Sequence, residues 1–368
     1  MKILVTGANG FVAKSLIIRL AEQGYTDILR FDRSCTADDL TVMATKADFV
    51  FHLAGVNRPK DEAEFAEGNA DLTVSLLRAL SAAGNKAPVV LSSSIQAALD
   101  NPYGKSKAAA EQAVLQYHAD SGAAAYVFRL PNVFGKWCKP NYNSAVATFC
   151  YNTVNDLPIT INDAKAALKL VYIDDVCESF IKLLQASQPA GFVDVAPVYQ
   201  TTVGDVATLL QKFKTSRDSL VTESVGQGLT RALYSTYLSY FSPTQFAYTV
   251  PGYTDPRGTF VEMLKTPDAG QFSFFTAHPG ITRGGHYHHS KNEKFLVIKG
   301  KASYRFKHIV SGEFYELTTD ASEYKIVETV PGWTHDITNI GDDELIVMLW
   351  ANEIYDRSKP DTIASPLV

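Results

Sequence analysis

The pattern of apolar residues changes once along this chain of 368 residues, and the change limits the folds that the chain can adopt. From residue 2 to about 195, short apolar runs alternate with longer amphipathic stretches, which is typical of a parallel sheet covered by helices. From 258 to 352, short alternating runs are separated by turn residues, which indicates an all-β barrel or sandwich. Because 368 residues exceed the size at which one hydrophobic core stops growing, we expect two domains. We predict a doubly wound α/β domain over 1–243 and an all-β domain over 244–368.

Individual segments predict the elements of both domains. The predicted helices of the first domain include 61–83 and 105–121, which are rich in good helix formers, and the stretch DVATLLQKFK. The segment 240–256 has three prolines and no periodicity, which predicts a linker. The predicted strands of the first domain are KILVTG, DILRFD, DFVFHLAG, PVVLSSS and AYVFRLPN, and those of the second include TFVEMLK, KFLVIKG, KASYRFKH and ELIVMLWA.

Composition excludes several classes of protein. Hydrophobic residues at 46% and charged residues at 20% are ordinary for a folded globule. A net charge of -5 gives no basic surface for nucleic acid, so we expect no nucleic-acid partner. The chain shows no apolar run of the ~20 residues needed for membrane insertion, and its start, MKILVTGANG, is unlike a signal peptide. The four cysteines lack the spacing of a metal site or a disulfide framework, which favours a reducing, cytoplasmic location.

A glycine-rich turn joins the first predicted strand to a helix. Gly7 permits a tight turn, Gly10 lets the backbone approach a pyrophosphate, and Ala13 allows close packing of helix on sheet. Phosphates bind at such a helix N-terminus, so this turn predicts a dinucleotide site in a Rossmann-type domain. The predicted cofactor-binding residues of the turn are Gly7, Asn9, Gly10, Phe11 and Val12.

The second strand ends at Asp32 and Arg33, where a dinucleotide's adenosine ribose is expected. A carboxylate there accepts a hydrogen bond from the 2′-hydroxyl of NAD, whereas an arginine pairs with the 2′-phosphate of NADP. Both residues are present, so their identity alone leaves NAD and NADP open.

Three side chains predict acid-base chemistry at a carbonyl. Tyr103 and Lys107 are four residues apart at the start of a helix, and therefore lie on one face. A neighbouring ammonium favours the anionic form of a phenol whose ordinary pKa is about 10. Ser94 ends a buried strand just upstream, where its hydroxyl can polarise a substrate carbonyl.

Together with HLAG at 52–55 and RLPNVFG at 129–135, these motifs resemble the extended short-chain dehydrogenases that act on nucleotide sugars. The resemblance implies that Tyr103 is the proton donor, that Lys107 orients the cofactor ribose and that Ser94 binds the reacting oxygen. It also implies a cofactor contact along Leu53, Ala54 and Gly55, a supporting role for Asn69 beside the lysine, and a contact of Asn132 with the nucleotide diphosphate. The interval of only nine residues between Ser94 and Tyr103 predicts a small loop over the sugar.

Six of the eight histidines fall between 278 and 335, which indicates a local chemical demand. Residues two apart on a strand share a face, so His286 and His288 can bind one ion, joined by Glu293 from the returning strand and by His335. Three imidazoles and one carboxylate form a coherent ligand set for a divalent transition metal, and leave zinc, iron, manganese and nickel open. The spacing resembles both motifs of the cupin family, although the second has PG where PxG is usual.

A second resemblance concerns the same region. DPRGTFVE at 255–262 and GITRGGHYH at 280–288 resemble deoxysugar 3,5-epimerases of the cupin superfamily, which abstract a proton beside a keto group without a metal. In that family the histidine equivalent to His286 is the base, so a metal bound by His286 leaves the base unassigned. A metal would instead stabilise the enolate that forms when the proton leaves.

The segments LAGVNRP, LSSSIQA, NPYGKSK, FGKWCKPNYNS, YSTYLSY and KNEKFLV resemble a family of two-domain enzymes of capsular polysaccharide synthesis over essentially the whole chain. The resemblance implies C3 epimerisation of a UDP-2-acetamido-2,6-dideoxy-L-4-hexulose in the second domain and NADPH-dependent reduction of C4 in the first. It implies zinc and a homodimer as well. Two alternatives stay open: a UDP-sugar 4-epimerase with bound NAD whose second domain serves only dimerisation, and a redox sensor that binds NADP without catalysis.

Overall fold

The computed structural model describes residues 1–185, 189–255, 258–261, 264, 266, 270–353 and 358–367. The chain divides into two compact units. The first consists of Met1–Ser144 and Ala167–Thr201, and the second of Ala145–Ala166 and Thr202–Val368. The boundary between residues 243 and 244 expected from the sequence stays a prediction. None of the helices in the described part of the chain is both long and apolar enough to cross a membrane.

The described elements follow the predicted change of pattern, with helices concentrated before residue 240 and strands after it. The helices are α1 (Phe11–Glu22), α2 (Ala37–Lys46), α3 (Ala63–Phe65), α4 (Leu72–Ala82), α5 (Pro102–Ser121), α6 (Ala145–Val154), α7 (Ile173–Lys182), α8 (Val203–Ser219) and α9 (Gly228–Leu238). The strands are β1 (Ile3–Thr6), β2 (Ile28–Phe31), β3 (Phe49–His52), β4 (Val89–Ser94), β5 (Ala125–Leu130), β6 (Asn132–Phe134), β7 (Ala167–Tyr172), β8 (Gly191–Phe192), β9 (Tyr199–Thr202), β10 (Ala247–Thr249), β11 (Gly252–Asp255), β12 (Gly258–Val261), β13 (Gln271–Ala277), β14 (Thr282–Tyr287), β15 (Glu293–Lys299), β16 (Lys301–His308), β17 (Phe314–Asp320), β18 (Lys325–Glu328), β19 (Trp333–Asn339), β20 (Leu345–Ala351) and β21 (Ile363–Ala364).

The first unit is built on a six-stranded sheet in the order β2-β1-β3-β4-β5-β8. All its neighbouring strands are parallel, and β1 and β3 are buried along their whole length. Buried strands of this kind need apolar side chains on both faces, which explains the runs ILVT and FVFH. The chain passes from β2 on one side of β1 to β3 on the other side. The carboxyl ends of β1 and β3 therefore border the crevice where such sheets bind ligands.

A single helical stretch between β3 and β4 combines α3, a π-helical turn (Ala66–Asp71) and α4. Its apolar side is buried with one face of the sheet, as shown by Leu76, Leu80 and Val50 in the same core. Helix α5 begins at Asn101, whose side chain accepts a hydrogen bond from the Gly104 N–H, and places Pro102 in its first turn. These elements confirm the predicted helices over 61–83 and 105–121.

The second unit contains two five-stranded antiparallel sheets, β10-β18-β15-β20-β13 and β17-β16-β19-β14-β21. Aromatic side chains of the two sheets meet between them, since the ring of Phe295 on β15 lies 5.9 Å from that of Tyr304 on β16. This β-sandwich confirms the predicted all-β domain after a doubly wound sheet. Helices α6, α8 and α9 belong to the same compact unit.

The predicted linker over 240–256 is wrong for part of its length. Phe246 is fully buried against Trp333, with ring centroids 4.9 Å apart, and β10 pairs with β18. The prolines of this segment interrupt periodicity without preventing the burial of Phe246 between the first two of them. Within the predicted epimerase segment DPRGTFVE, residues 256, 257 and 262 lie outside the described residues.

Candidate functional site

The glycine turn after β1 adopts a shape that only glycine tolerates. Gly7 has φ +66°, and a Cβ there would lie 2.7 Å from Ala54 Cα, in the loop after β3. Helix α1 then begins after Gly10 with no side-chain cap. Its first N–H groups are thus free of side-chain acceptors and can bind an anion. Phe11 and Val12, the first residues of that helix, are half-buried beside this turn.

Asp32 and Arg33 follow β2, as predicted. Asn9 donates a hydrogen bond to the Asp32 carboxylate, and Ser34 donates from its N–H at 2.8 Å and its hydroxyl at 2.6 Å. The bonds from Ser34 lower the pKa of Asp32, so the carboxylate is ionised at neutral pH. Arg33 is exposed. A 2′-phosphate on the adenosine ribose would therefore meet an ionised carboxylate held by hydrogen bonds and an exposed guanidinium.

The three consecutive serines that end β4 each contact a different residue of α5. The Ser92 carbonyl accepts from Lys107 Nζ at 3.2 Å, and Ser93 donates to the buried Glu111 at 2.5 Å. Ser94 hydrogen-bonds the Tyr103 side chain. The strand end and the helix start are therefore fastened at three points.

Gly104 explains why the helix can approach this closely. A Cβ at residue 104 would lie 2.3 Å from the carbonyl oxygen of Gln96 and 2.5 Å from that of Leu99. Both contacts are with main-chain atoms, which cannot move aside cheaply. The glycine next to the predicted catalytic tyrosine thus lets the first turn of α5 sit against the segment after Ser94.

Burial controls the protonation of the tyrosine and the lysine. It raises the pKa of Tyr103, against the opposing effect of its hydrogen bond with Ser94. It lowers the pKa of Lys107 to about 8, although Glu111 acts in the opposite direction. Lys107 Nζ lies 6.0 Å from the centre of the Tyr103 ring. In the chain alone, burial outweighs the expected stabilisation of the phenolate, and the phenol is protonated at neutral pH.

Asn69 lies in the π-helical turn and is buried. Its side chain exchanges hydrogen bonds with the main chain of Val56 and donates to Ser106 Oγ at 3.0 Å. A Cβ on Gly55 would be 2.8 Å from Asn69 Oδ1 and 2.9 Å from Lys107 Nζ. Asn69, Lys107 and the loop from Leu53 to Gly55 are thus brought together. Asn132 is exposed at the start of β6 and donates to the Lys169 carbonyl at 3.1 Å.

The second unit holds a buried cluster of metal-ligating side chains. His286, His288, Glu293 and His335 each offer one ligand atom, and these atoms lie within 4.8 Å of one another. Glu293 Oε2 is 3.3 Å from His288 Nε2 and 3.5 Å from His335 Nε2. The spacing and the donor set fit one divalent ion bound by three nitrogens and one oxygen.

Electrostatics supports the same assignment. Burial lowers the pKa of His286 to about 3, helped by the neighbouring His335 and His288, and burial also lowers the pKa of His335. For Glu293, burial would raise the pKa, but hydrogen bonds from His288 and His335 hold it well below its ordinary value. Neutral imidazoles beside an ionised carboxylate are the protonation states that a metal requires.

A glycine bulge in β14 sets the orientation of His286. The register of β14 against β19 shifts between Gly284 and His286, and Gly284 has φ +106°. A Cβ at Gly284 would lie 2.8 Å from the His335 carbonyl oxygen. His288 follows the end of β14, so the simple rule of alternate residues on one strand describes this pair only in part.

Sequence reasoning missed two charged residues beside the cluster. Lys291 Nζ contacts the other carboxylate oxygen of Glu293 at 2.7 Å. Asp361 accepts hydrogen bonds from the main chain that follows His288. Lys291 lies within the histidine-rich segment, where its closeness to Glu293 was a usable signal, whereas nothing in the spacing of Asp361 connects it to the histidines.

The glycine turn, the serine–tyrosine–lysine group and the parallel sheet define a class of protein. The chain belongs to the NAD dependent epimerase/dehydratase family, whose profile matches residues 3–196. A second profile, for the polysaccharide biosynthesis C-terminal domain, matches residues 253–363.

Two individual relatives match essentially the whole chain. It is 56% identical over 365 residues to the UDP-2-acetamido-2,6-beta-L-arabino-hexul-4-ose reductase of Pseudomonas aeruginosa, covering 99% of this chain and 98% of that protein. The structure resembles that of the capsular polysaccharide assembling protein CapF from Staphylococcus aureus, with a TM-score of 0.68, 41% identity and 100% of both chains covered. The UDP-N-acetylglucosamine 4-epimerase of Bacillus cereus, at 23% identity and a TM-score of 0.52, covers 58% of this chain and 82% of its own, and shares the fold. These matches confirm the resemblance to two-domain enzymes of capsular polysaccharide synthesis.

Proposed function

We propose that this chain is a bifunctional enzyme acting on a UDP-linked 4-keto-6-deoxy amino sugar. In this proposal the second domain epimerises C3 of a UDP-2-acetamido-2,6-dideoxy-L-4-hexulose, and the first domain reduces C4 with NADPH. The product is UDP-2-acetamido-2,6-dideoxy-L-talose, on the route to UDP-N-acetyl-L-fucosamine for capsular polysaccharide. The name and the 56% identity of the Pseudomonas aeruginosa reductase support the substrate class.

The observation that carries the reductase half is the contact of Ser94 with the Tyr103 phenol beside Lys107. The bound dinucleotide supplies the hydride. Tyr103 donates the proton to the ketone oxygen, and its raised pKa keeps that proton in place until the substrate binds. Ser94 hydrogen-bonds the same oxygen. The Lys107 ammonium, held by the Ser92 carbonyl, stabilises the phenolate that the transfer leaves behind.

For the epimerase half, the support is the buried group of His286, His288, Glu293 and His335. A divalent ion, zinc in our proposal, supplies the positive charge that favours removal of a proton beside a ketone. His286, His288 and His335 would hold it through neutral nitrogens, and Glu293 through one carboxylate oxygen. Lys291, paired with the other oxygen of Glu293, fixes the orientation of that carboxylate.

Deuterium exchange tests the proposal directly. The purified chain is incubated in heavy water with a UDP-2-acetamido-2,6-dideoxy-4-hexulose and without NADPH, and C3 is followed by NMR and mass spectrometry. We expect deuterium at C3 with no change at C4, followed by one equivalent of NADPH oxidised when that cofactor is added. A 4-epimerase with resident NAD would consume no net NADPH and would leave C3 protonated, which would contradict both halves.

The proposal includes a homodimer, supported only by the resemblance to the capsular enzymes, and a cytoplasmic location, supported by the spacing of the four cysteines. Sedimentation equilibrium of the purified chain tests the homodimer, with a mass of twice 40.3 kDa as the expected result.

A further inference from the structure

The C-terminal segment of the chain returns to the metal-ligand cluster. Strand β21 pairs antiparallel with β14, so that Ala364 lies opposite His286 and Ile363 opposite Tyr287. The Ser365 N–H donates to the Gly285 carbonyl at 2.8 Å. The last strand of the domain thus continues the sheet beside the first ligand, and places the residues that precede it near the second ligand.

Asp361 lies two residues before β21, and its carboxylate accepts hydrogen bonds from the main chain that follows His288. Its Oδ1 accepts from the His289 N–H at 2.8 Å, and its Oδ2 accepts from the N–H groups of Ser290 and Lys291, each at 2.7 Å. The Ser290 hydroxyl adds a bond at 3.0 Å. Three successive N–H groups that converge on one carboxylate fix the path of a loop much more firmly than any single bond.

The main chain of Asp361 also orients the imidazole of His288. Its carbonyl oxygen lies 2.5 Å from His288 Nδ1. Because a carbonyl can only accept, Nδ1 carries a proton, so the lone pair with which a neutral His288 would bind a metal is on Nε2. Nε2 is the atom that lies 3.3 Å from Glu293 Oε2, on the side of the other ligands. One residue therefore sets both the loop and the tautomer of a metal ligand.

We propose that Asp361 is a positioning residue for divalent metal binding, acting through the main chain of residues 289–291 and the ring of His288. This inference rests on the proposed metal site of the second domain. Hydrogen-bond partners behind metal-ligating histidines typically account for 10- to 100-fold in metal affinity. We expect the loss of the Asp361 carboxylate to increase the rate of metal release by at least about 10-fold.

The test compares Asp361→Asn with Asp320→Asn in the full chain loaded with zinc. Asp320 ends β17 in the same domain, and its carboxylate accepts from the N–H and hydroxyl of Ser322 at 2.8 and 2.6 Å. Zinc release into a colorimetric chelator should accelerate in Asp361→Asn and stay within about 2-fold of wild type in Asp320→Asn. With Co²⁺ in place of zinc, the visible absorption spectrum should change only in Asp361→Asn.

Each outcome has a defined meaning. An Asp361→Asn protein that unfolds earlier without metal, yet releases zinc at the wild-type rate and keeps the Co²⁺ spectrum, would overturn the inference and leave the metal site standing. A wild-type chain that binds no zinc would overturn the proposed metal site, and this inference with it. If Asp361→Asn does not fold, the tautomer of His288 in the zinc-loaded wild type tests the inference instead. Nitrogen NMR should find the proton of His288 on Nδ1, and a proton on Nε2 would contradict the proposal.

Discussion

Both candidate sites contain buried titratable groups, but the residues of the two sites are distributed differently along the sequence. Ser94, Tyr103 and Lys107 all come from β4 and the start of α5, within one short stretch of chain. The candidate metal cluster has His286 on β14, Glu293 on β15 and His335 on β19, and the loop after His288 is held by Asp361, about 70 residues further along the chain. A site whose residues are close in sequence can be recognised as a motif. A site assembled from several strands of a sandwich can be recognised only in part.

Burial also has a different effect on the titratable groups of the two sites. In the first unit, burial opposes the charged form of Lys107, and Glu111 compensates only in part. In the second unit, burial keeps His286 and His335 neutral, which is the form that binds a metal. The first site therefore depends on the buried ammonium of Lys107, whereas the second depends on histidines that burial keeps neutral.

Tyr103→Phe should have the largest effect. Removing the phenolic proton should lower the rate of C4 reduction by about 10³-fold, while deuterium exchange at C3 continues at the wild-type rate. NADPH oxidation and mass spectrometry of the product measure the two activities in one sample.

Tyr117→Phe is the matched control, since Tyr117 lies further along α5 and its hydroxyl donates to the Asn85 carbonyl at 3.0 Å. We expect it to keep both activities. Loss of C3 exchange in a folded Tyr103→Phe protein would show that the two reactions are not divided between the two domains.

His288→Ala should give the reverse result. The variant loses one of four ligands and should retain less than about a tenth of the bound zinc at equal free metal, with exchange at C3 lost and reduction of a pre-epimerised 4-keto substrate retained. Metal analysis after gel filtration and the exchange assay measure this. His308→Ala, at the end of β16 in the same sheet as His335, should keep its metal.

Much of the fold was predictable because its signals are local. The runs ILVT, FVFH and VVLSSS form parallel strands of the sheet, and each could be recognised from its consecutive apolar residues. The burial of Phe246 against Trp333 was not, because it depends on strands that are far away in the sequence. The four predicted metal ligands lie close together, as expected, yet the Gly284 bulge next to His286 has no signature beyond two adjacent glycines. The role of Asp361 could not be predicted from the sequence either, because its hydrogen-bond partners lie about 70 residues earlier.

Arg33→Ala tests the cofactor preference of the first site, and we expect a moderate effect. If Arg33 pairs with the 2′-phosphate, its loss should raise the KM for NADPH about 10-fold, the cost of one charge-assisted contact, and leave the KM for NADH unchanged. Steady-state kinetics with both cofactors measure this ratio. Arg30→Ala, an exposed arginine within β2, should leave the ratio as in wild type. An equal change for both cofactors would remove Arg33 from the 2′-phosphate.

The smallest effect concerns the pH dependence of stability caused by Lys107. Because burial lowers its pKa from 10.5 to about 8 in the folded chain, the unfolded chain binds more protons between these two values. Wild-type stability should therefore gain, relative to Lys107→Met, as the pH rises from about 8 towards 10.5. The difference in Tm between Lys107→Met and wild type should fall by a few degrees over that window and stay constant below it. Lys105→Met, which removes an exposed lysine of the same helix, should show no such trend. A constant difference for Lys107→Met would mean that its ammonium is solvated in the folded protein, and the contrast between a buried charge in one site and neutral histidines in the other would disappear.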